Sequence, residues 1–237
     1  MKFNAVLKNE QLKINRMYII PLSVFLLNVV LAIIVFIYFF NINNTAQLKS
    51  TINYLDIIKV KNYVTYAHFI VIATILPFIS SNSICSDKQG DGLYIVFLSG
   101  IKRSEYVFGK MFSHIFTTLL IIVSTFPIYI TTHIFGGFDI ENNLIYLSFL
   151  FANVVFVTIV CNFISSVCDE TNTSQILSYL ISVVTEVTML ILSMYVFKSN
   201  NFAIIVINIT LLFLSICFFI LTCSFLSKYD ISKGGNS

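Results

Sequence analysis

Side chains able to do chemistry are few in this chain, and their spacing excludes most reactions. The histidines His68, His114 and His133 form no H-E-x-x-H pair, so the zinc site of a membrane metalloprotease is not encoded. Nucleotide hydrolysis needs a G-x-x-x-x-G-K-[ST] loop whose backbone amides cradle phosphates, and none occurs. Cysteines at 85, 161, 168, 217 and 223 make no C-x-x-C pair and read as small core residues. With no nucleophile, base or metal cluster to assemble, the chain is not expected to be an enzyme, and no metal is assigned to it. Two features remain. Glu186 stands among Val183, Val184, Val187 and Met189, where an acid costs roughly 2.5–3.5 kcal/mol on insertion scales. It either lines a polar path together with Asn153 and Asn162, favouring cations, or is a protonated structural group bonded to Asn153, Asn162 or Ser182. The second feature is the charged interval Cys85 to Met111, CSDKQGDGLYIVFLSGIKRSEYVFGKM.

The elements that must position these residues follow from composition. Hydrophobic residues make up 57% of the chain and charged residues 11%, outside the range of soluble domains. A bilayer crossing takes roughly 20 apolar residues. The apolar runs predict six spans, at about 17–40, 63–84, 106–135, 143–167, 176–197 and 202–226. One transmembrane domain, 1–237, accounts for the length. Residues 1–16 carry Lys2, Lys8, Lys13 and Arg16 with Phe3, Val6 and Leu7 at helical spacing, and read as an interfacial helix. Residues 41–62 are polar and read either as a solvated loop or as a short helix with Leu48, Ile52 and Leu55 on one face. Pro21, Pro77 and Pro127 fall within spans, where each removes a backbone donor. With the N-terminus inside, ten of the fourteen Lys and Arg lie on the inner side, which places both termini in the cytoplasm. The net charge of +3 is spread over loop ends as topology requires, so nucleic acid is not an expected partner.

Between spans two and three, the segment 85–105 is too short and too broken by glycine and charge to cross. Leu93 to Leu98 forms its apolar centre, flanked by Asp87, Lys88, Asp91, Lys102 and Arg103. Such a segment lies at the membrane surface and offers a greasy face to a partner. This interval resembles the permeases of ABC-2 type transporters. Asp87 and Lys88 match that family's acidic and basic pair, Leu93 and Ile95 to Phe97 its leucine-rich run, Ser99 and Arg103 its turn, and Gly109 with Lys110 the opening of its third span. Asp91 and Gly92 stand where Gly-Thr is usual, and Gly100 replaces a proline. The ending Lys228, Tyr229, Asp230, Ile231 is similar to the family's basic-Asp-Ile terminus.

The resemblance implies an all-α integral membrane protein with six transmembrane helices in an ABC-2, type V exporter-like bundle, in a bacterial cytoplasmic membrane. It implies a separate ABC ATPase, which would hold ATP and magnesium, while this chain binds no cofactor. Asp87, Lys88, Asp91, Leu93, Ile95, Val96, Phe97 and Arg103 would couple to that ATPase. A second permease, identical or different, would complete the assembly within the membrane lipid. The short outer connections after spans three and five favour a small amphipathic cargo, a peptide or lipid-like molecule, and among the family the peptide and bacteriocin exporters and self-protection transporters fit best. The alternative is a membrane immunity or scaffold protein that binds a peptide or partner without transport.

Overall fold

In a computed structural model, the described residues are 2–49, 54–90, 92–128, 130, 140–196 and 201–234. Among them, the long elements are helices and no strand occurs. In chain order these are α1 (Lys2–Asn15), α2 (Ile19–Lys49), α3 (Tyr54–Ser80), α4 (Ser83–Gln89), α5 (Gly92–Leu98), α6 (Arg103–Ser124), α7 (Ile140–Val167), α8 (Thr171–Val196) and α9 (Asn201–Gly234). Among the described residues, six helical stretches are long and apolar enough to cross a membrane.

Helices α2 and α3 run into the polar residues 41–49 and 54–62, so these parts of the segment expected as a loop or a separate short helix extend the neighbouring helices, while 50–53 lie outside the described residues. Residues 41–49 and 54–62 contain no glycine or proline to interrupt either helix. The centre of the bundle is built by α3, α7 and α8, which pack on one another, with α9 lying along α7. Phe69, Ile72 and Leu76 of α3 meet Phe149, Val154 and Val157 of α7 in one buried apolar core. Exposed Leu, Ile, Val and Phe side chains line the outside of α2, α8 and α9, as a lipid-facing surface requires.

Pro77 lies inside α3, and the helix ends at Ser80, three residues later. A turn at Ser81 and Asn82 then starts α4, so the second apolar run is two helices rather than one. Between α5 and α6 the chain reverses through Gly100, whose φ of 74° lies in the left-handed region. Gly100 N–H donates to Phe97 C=O at 2.9 Å and Ser99 N–H to Ile95 C=O at 3.1 Å, closing the last turn of α5. A proline here would lack both the donor and the positive φ, so glycine is the residue this turn needs. Glu105 then closes the start of α6 by accepting the Lys102 N–H at 3.3 Å.

Helix α1 lies against α6, with Val6 packed over Gly109. A Cβ at that position would stand 3.0 Å from Val6 Cγ1 and 3.1 Å from Val6 Cβ. Gly109→Leu is therefore expected to lift α1 from α6 while leaving the spans inserted. New tryptic cleavage at Lys8 and Lys13, with unchanged membrane abundance, is the expected result; cleavage no faster than in the parent chain would show that α1 is held elsewhere.

Candidate functional site

Three helices meet around one buried ammonium group. Lys110, on the first turns of α6, has its side chain 2% exposed. Its Nζ stands 2.8 Å from Asp87 Oδ2 of α4 and 3.3 Å from Glu10 Oε2 of α1, and donates to the Ser83 carbonyl at the start of α4. Tyr106, one turn earlier on α6, donates its hydroxyl to Asp87 Oδ2 at 2.8 Å. Lys13 of α1 reaches Asp87 Oδ1 at 3.2 Å, and His114 Nε2 lies 3.5 Å from Glu10 Oε1. Two carboxylates thus face one fully buried cation, with a half-exposed lysine at the edge. A buried charge left without partners is costly, so this arrangement ties α1, α4 and α6 together.

Burial alone would raise the Glu10 pKa, but the Lys110 charge, the His114 contact and charge, and Lys13 outweigh it and hold the carboxyl down at about 2. Desolvation also acts against the Lys13 ammonium, and there Asp87 and then Glu10 prevail and raise its pKa. A carboxyl with a depressed folded pKa gives stability that is fully present above its free value of 4.5 and is lost as pH falls through the folded value. Docking of α1 is accordingly expected to hold from neutral pH to about 4.5 and to weaken from there toward about 2. Spin labels introduced at Lys8 and Ser104 would read it as a distance, and release of α1 already near neutral pH would contradict the assignment.

Lys88, the other member of the charged pair, points away from this cluster. It is buried, donates to the Ser166 carbonyl and to the Cys168 carbonyl at 3.4 Å, and lies 3.7 Å from the exposed Asp169 carboxylate. A cation on the last carbonyls of α7 satisfies acceptors that the helix end leaves open and complements its dipole. Gln89 extends the contact by donating to the Asp169 carbonyl at 3.0 Å.

Helix α5 rests on this anchored base. Leu93 is 0% exposed and joins Ile84, Tyr106, Val107 and Leu226 in a second, smaller core. Val96 and Phe97 are half-buried against the same core, and the Phe97 ring meets Tyr106 edge-on at 5.8 Å. Ile95 and Leu98 are 64% and 68% exposed, and Tyr94 is exposed beside them. Of the residues expected at a partner contact, Leu93 faces inward, Val96 and Phe97 lie at the edge, and Ile95 faces out. Arg103 is half-buried at the start of α6, beside the exposed Lys102. Asp91 lies outside the described residues.

The second cluster is enclosed among α3, α7 and α8. Glu186 is 3% exposed, and both its oxygens accept from the Asn153 amide, at 3.0 and 2.9 Å. Asn162 is also buried, nearer the α4 end, and accepts from the Ser83 hydroxyl at 3.0 Å. The three polar residues expected together are therefore two separate contacts, more than two turns apart along α7. Among the described residues, no group of three His, Cys, Asp or Glu side chains is placed to hold a metal ion.

Glu10, Tyr106 and His114 complete a site that the sequence reading did not assemble. The available signal was Lys110 itself. A lysine inside an apolar run needs a carboxylate partner, and the acidic residues of α1 and α4 were the candidates on the adjoining segments. A family model described as an ABC-2 family transporter protein matches residues 6–185, more than half of the chain. No protein of curated function matches it.

Proposed function

Because this chain belongs to the ABC-2 family of transporter proteins, we propose that it is the permease subunit of an ATP-driven exporter whose separate ATPase seats on α5. One observation carries the reading: a short helix between two membrane spans holds Ile95, Leu98 and Tyr94 outward while its base is locked to three other helices. The exposed apolar side chains supply contact area, and Lys102 and Arg103 supply charges at the rim that fix register. Leu93 sets α5 on the smaller core, and Asp87 carries the connection to Lys110 and Glu10. Displacement of α5 by the ATPase is then transmitted to α1 and α6 instead of being absorbed by a loose loop.

In this reading both termini are cytoplasmic, as ten of the fourteen Lys and Arg favour. ATP and magnesium belong to the partner chain. The exposed apolar sides of α2, α8 and α9 meet lipid and a second permease. The cargo is a small amphipathic molecule, a peptide or lipid, taken from the membrane, and peptide export or self-protection is the role within the family that fits best.

Purification of the tagged chain from its native membrane into lipid nanodiscs, followed by an assay for magnesium-dependent ATP hydrolysis, tests the proposal. ATPase activity that elutes with the chain is the expected result. A monodisperse chain without such activity would instead favour a non-transporting immunity or scaffold protein.

A further inference from the structure

A buried polar stripe runs along α8 and ends at Glu186. Ser174, Ser178, Ser182 and Glu186 recur every fourth residue, which places them on one face of the helix, and each is at most 3% exposed. At 1.5 Å per residue the stripe is about 18 Å long. It begins at the end of the bundle that carries α4, where the Ser174 hydroxyl donates to the Ser81 carbonyl. Further in, Ser80 and Ser178 stand beside the Cys161 thiol, and Ser182 donates to the Ala73 carbonyl at 3.4 Å. Glu186 and Asn153 close the far end.

Serines on a buried helix face are by themselves ordinary packing residues. What distinguishes this face is that polar atoms along it lack partners. Among the described residues, Ser81 Oγ, Asn162 Nδ2 and Asn153 Oδ1 make no hydrogen bond, although Ser81 and Asn153 are 0% exposed and Asn162 is 1% exposed. They come from α7 and from the turn after α3, the two sides that enclose the stripe. Buried polar groups in proteins are satisfied by protein or by ordered water, and a water with several polar neighbours is the ligand that can serve acceptors and a donor alike.

We propose that the α3–α7–α8 seam binds a file of water molecules and admits protons from the α4 end of the bundle to the Glu186 carboxylate. A water of the file gives its proton to a Glu186 oxygen and recovers one from the next water, the last being resupplied from bulk solvent; the reverse sequence returns the proton. The groups around Glu186 fit transfer to a single acid. From α7 it meets the neutral Asn153 amide, with the Cys161 thiol further along that helix. In residues 66–80 of α3 the titratable side chains are Tyr66 and His68, and the His68 ring nitrogens are held by the Tyr146 hydroxyl at 3.1 Å and the Thr125 hydroxyl at 2.7 Å. α8 itself adds Tyr179, and no Lys or Arg occurs in α7, α8 or residues 66–80. The inference needs the membrane bundle and not the ATPase contact.

Infrared difference spectroscopy on the full chain in lipid nanodiscs tests it. Buffer is switched from mildly acidic to mildly alkaline, and from H2O to D2O, while the protonated-carboxyl stretch is followed. The expected result is a band that responds to pH within the buffer exchange, shifts in D2O, and is lost in Glu186→Gln. Asn162→Leu removes the polar amide near the α4 end of the seam and is expected to slow both responses without removing the band. Ser178→Val does the same from α8, should Asn162→Leu not insert. A Glu186-dependent band that never responds would overturn the proposal, and so would responses as fast in both seam variants as in the parent chain.

Discussion

Lys110→Met is expected to cost about 3–5 kcal/mol, because it leaves the buried Glu10 and the half-buried Asp87 carboxylates without their shared cation. Glu10 and Asp87 both contact the Lys110 ammonium, and Lys13, with its side chain 46% exposed, remains at the edge as a partial substitute. The methionine retains much of the length and the contact with Tyr106, so the loss reflects charge rather than volume. Thermal unfolding in detergent would register it as a lowered midpoint together with proteolytic exposure of α1. The triple variant Lys110→Met, Glu10→Gln, Asp87→Asn is expected to recover much of the loss, since a neutral cluster has no unpaired charge to bury. A single variant as stable as the parent would show that the ion cluster does not hold α1.

The second large effect is on association. Ile95 is 64% exposed, so Ile95→Asp is expected to leave the fold within about 0.5 kcal/mol of the parent. At a partner interface the same carboxylate would be buried without a counter-charge, a cost of several kcal/mol, and each 1.4 kcal/mol is about tenfold in affinity. Co-purified ATP hydrolysis should therefore fall by two orders of magnitude or so. Leu93→Asp is the contrasting variant. It places the charge inside the smaller core and should lower membrane abundance instead, because Leu93 is fully buried against Ile84 and Tyr106.

Much of this arrangement is legible in the amino-acid sequence alone, and the reasons the rest is not are physical. Length and hydropathy alone report the number of apolar helices, since a bilayer imposes one scale on all of them. Charge and glycine mark the interval 85–105 as separate from the spans. Which side of α5 is buried depends on α6 and on α9, whose Leu226 lies far from it in sequence, and a seven-residue segment with apolar side chains all round has no polar face to orient it. The approach of Glu10 to Lys110 spans a hundred residues, and nothing in the local pattern of α1 announces it. Glu186 shows the opposite case. Its placement in an apolar run calls for a polar partner, and Asn153, on the adjoining span, is the one it has.

Site-specific photocross-linking tests the central claim most directly. A benzoylphenylalanine at position 95 in the assembled complex should form an ATP-dependent adduct with an ABC ATPase subunit, whereas the same residue at the exposed, lipid-facing position 184 should not. Adducts to the ATPase from position 184 and none from position 95, in a complex that still hydrolyses ATP, would contradict the account.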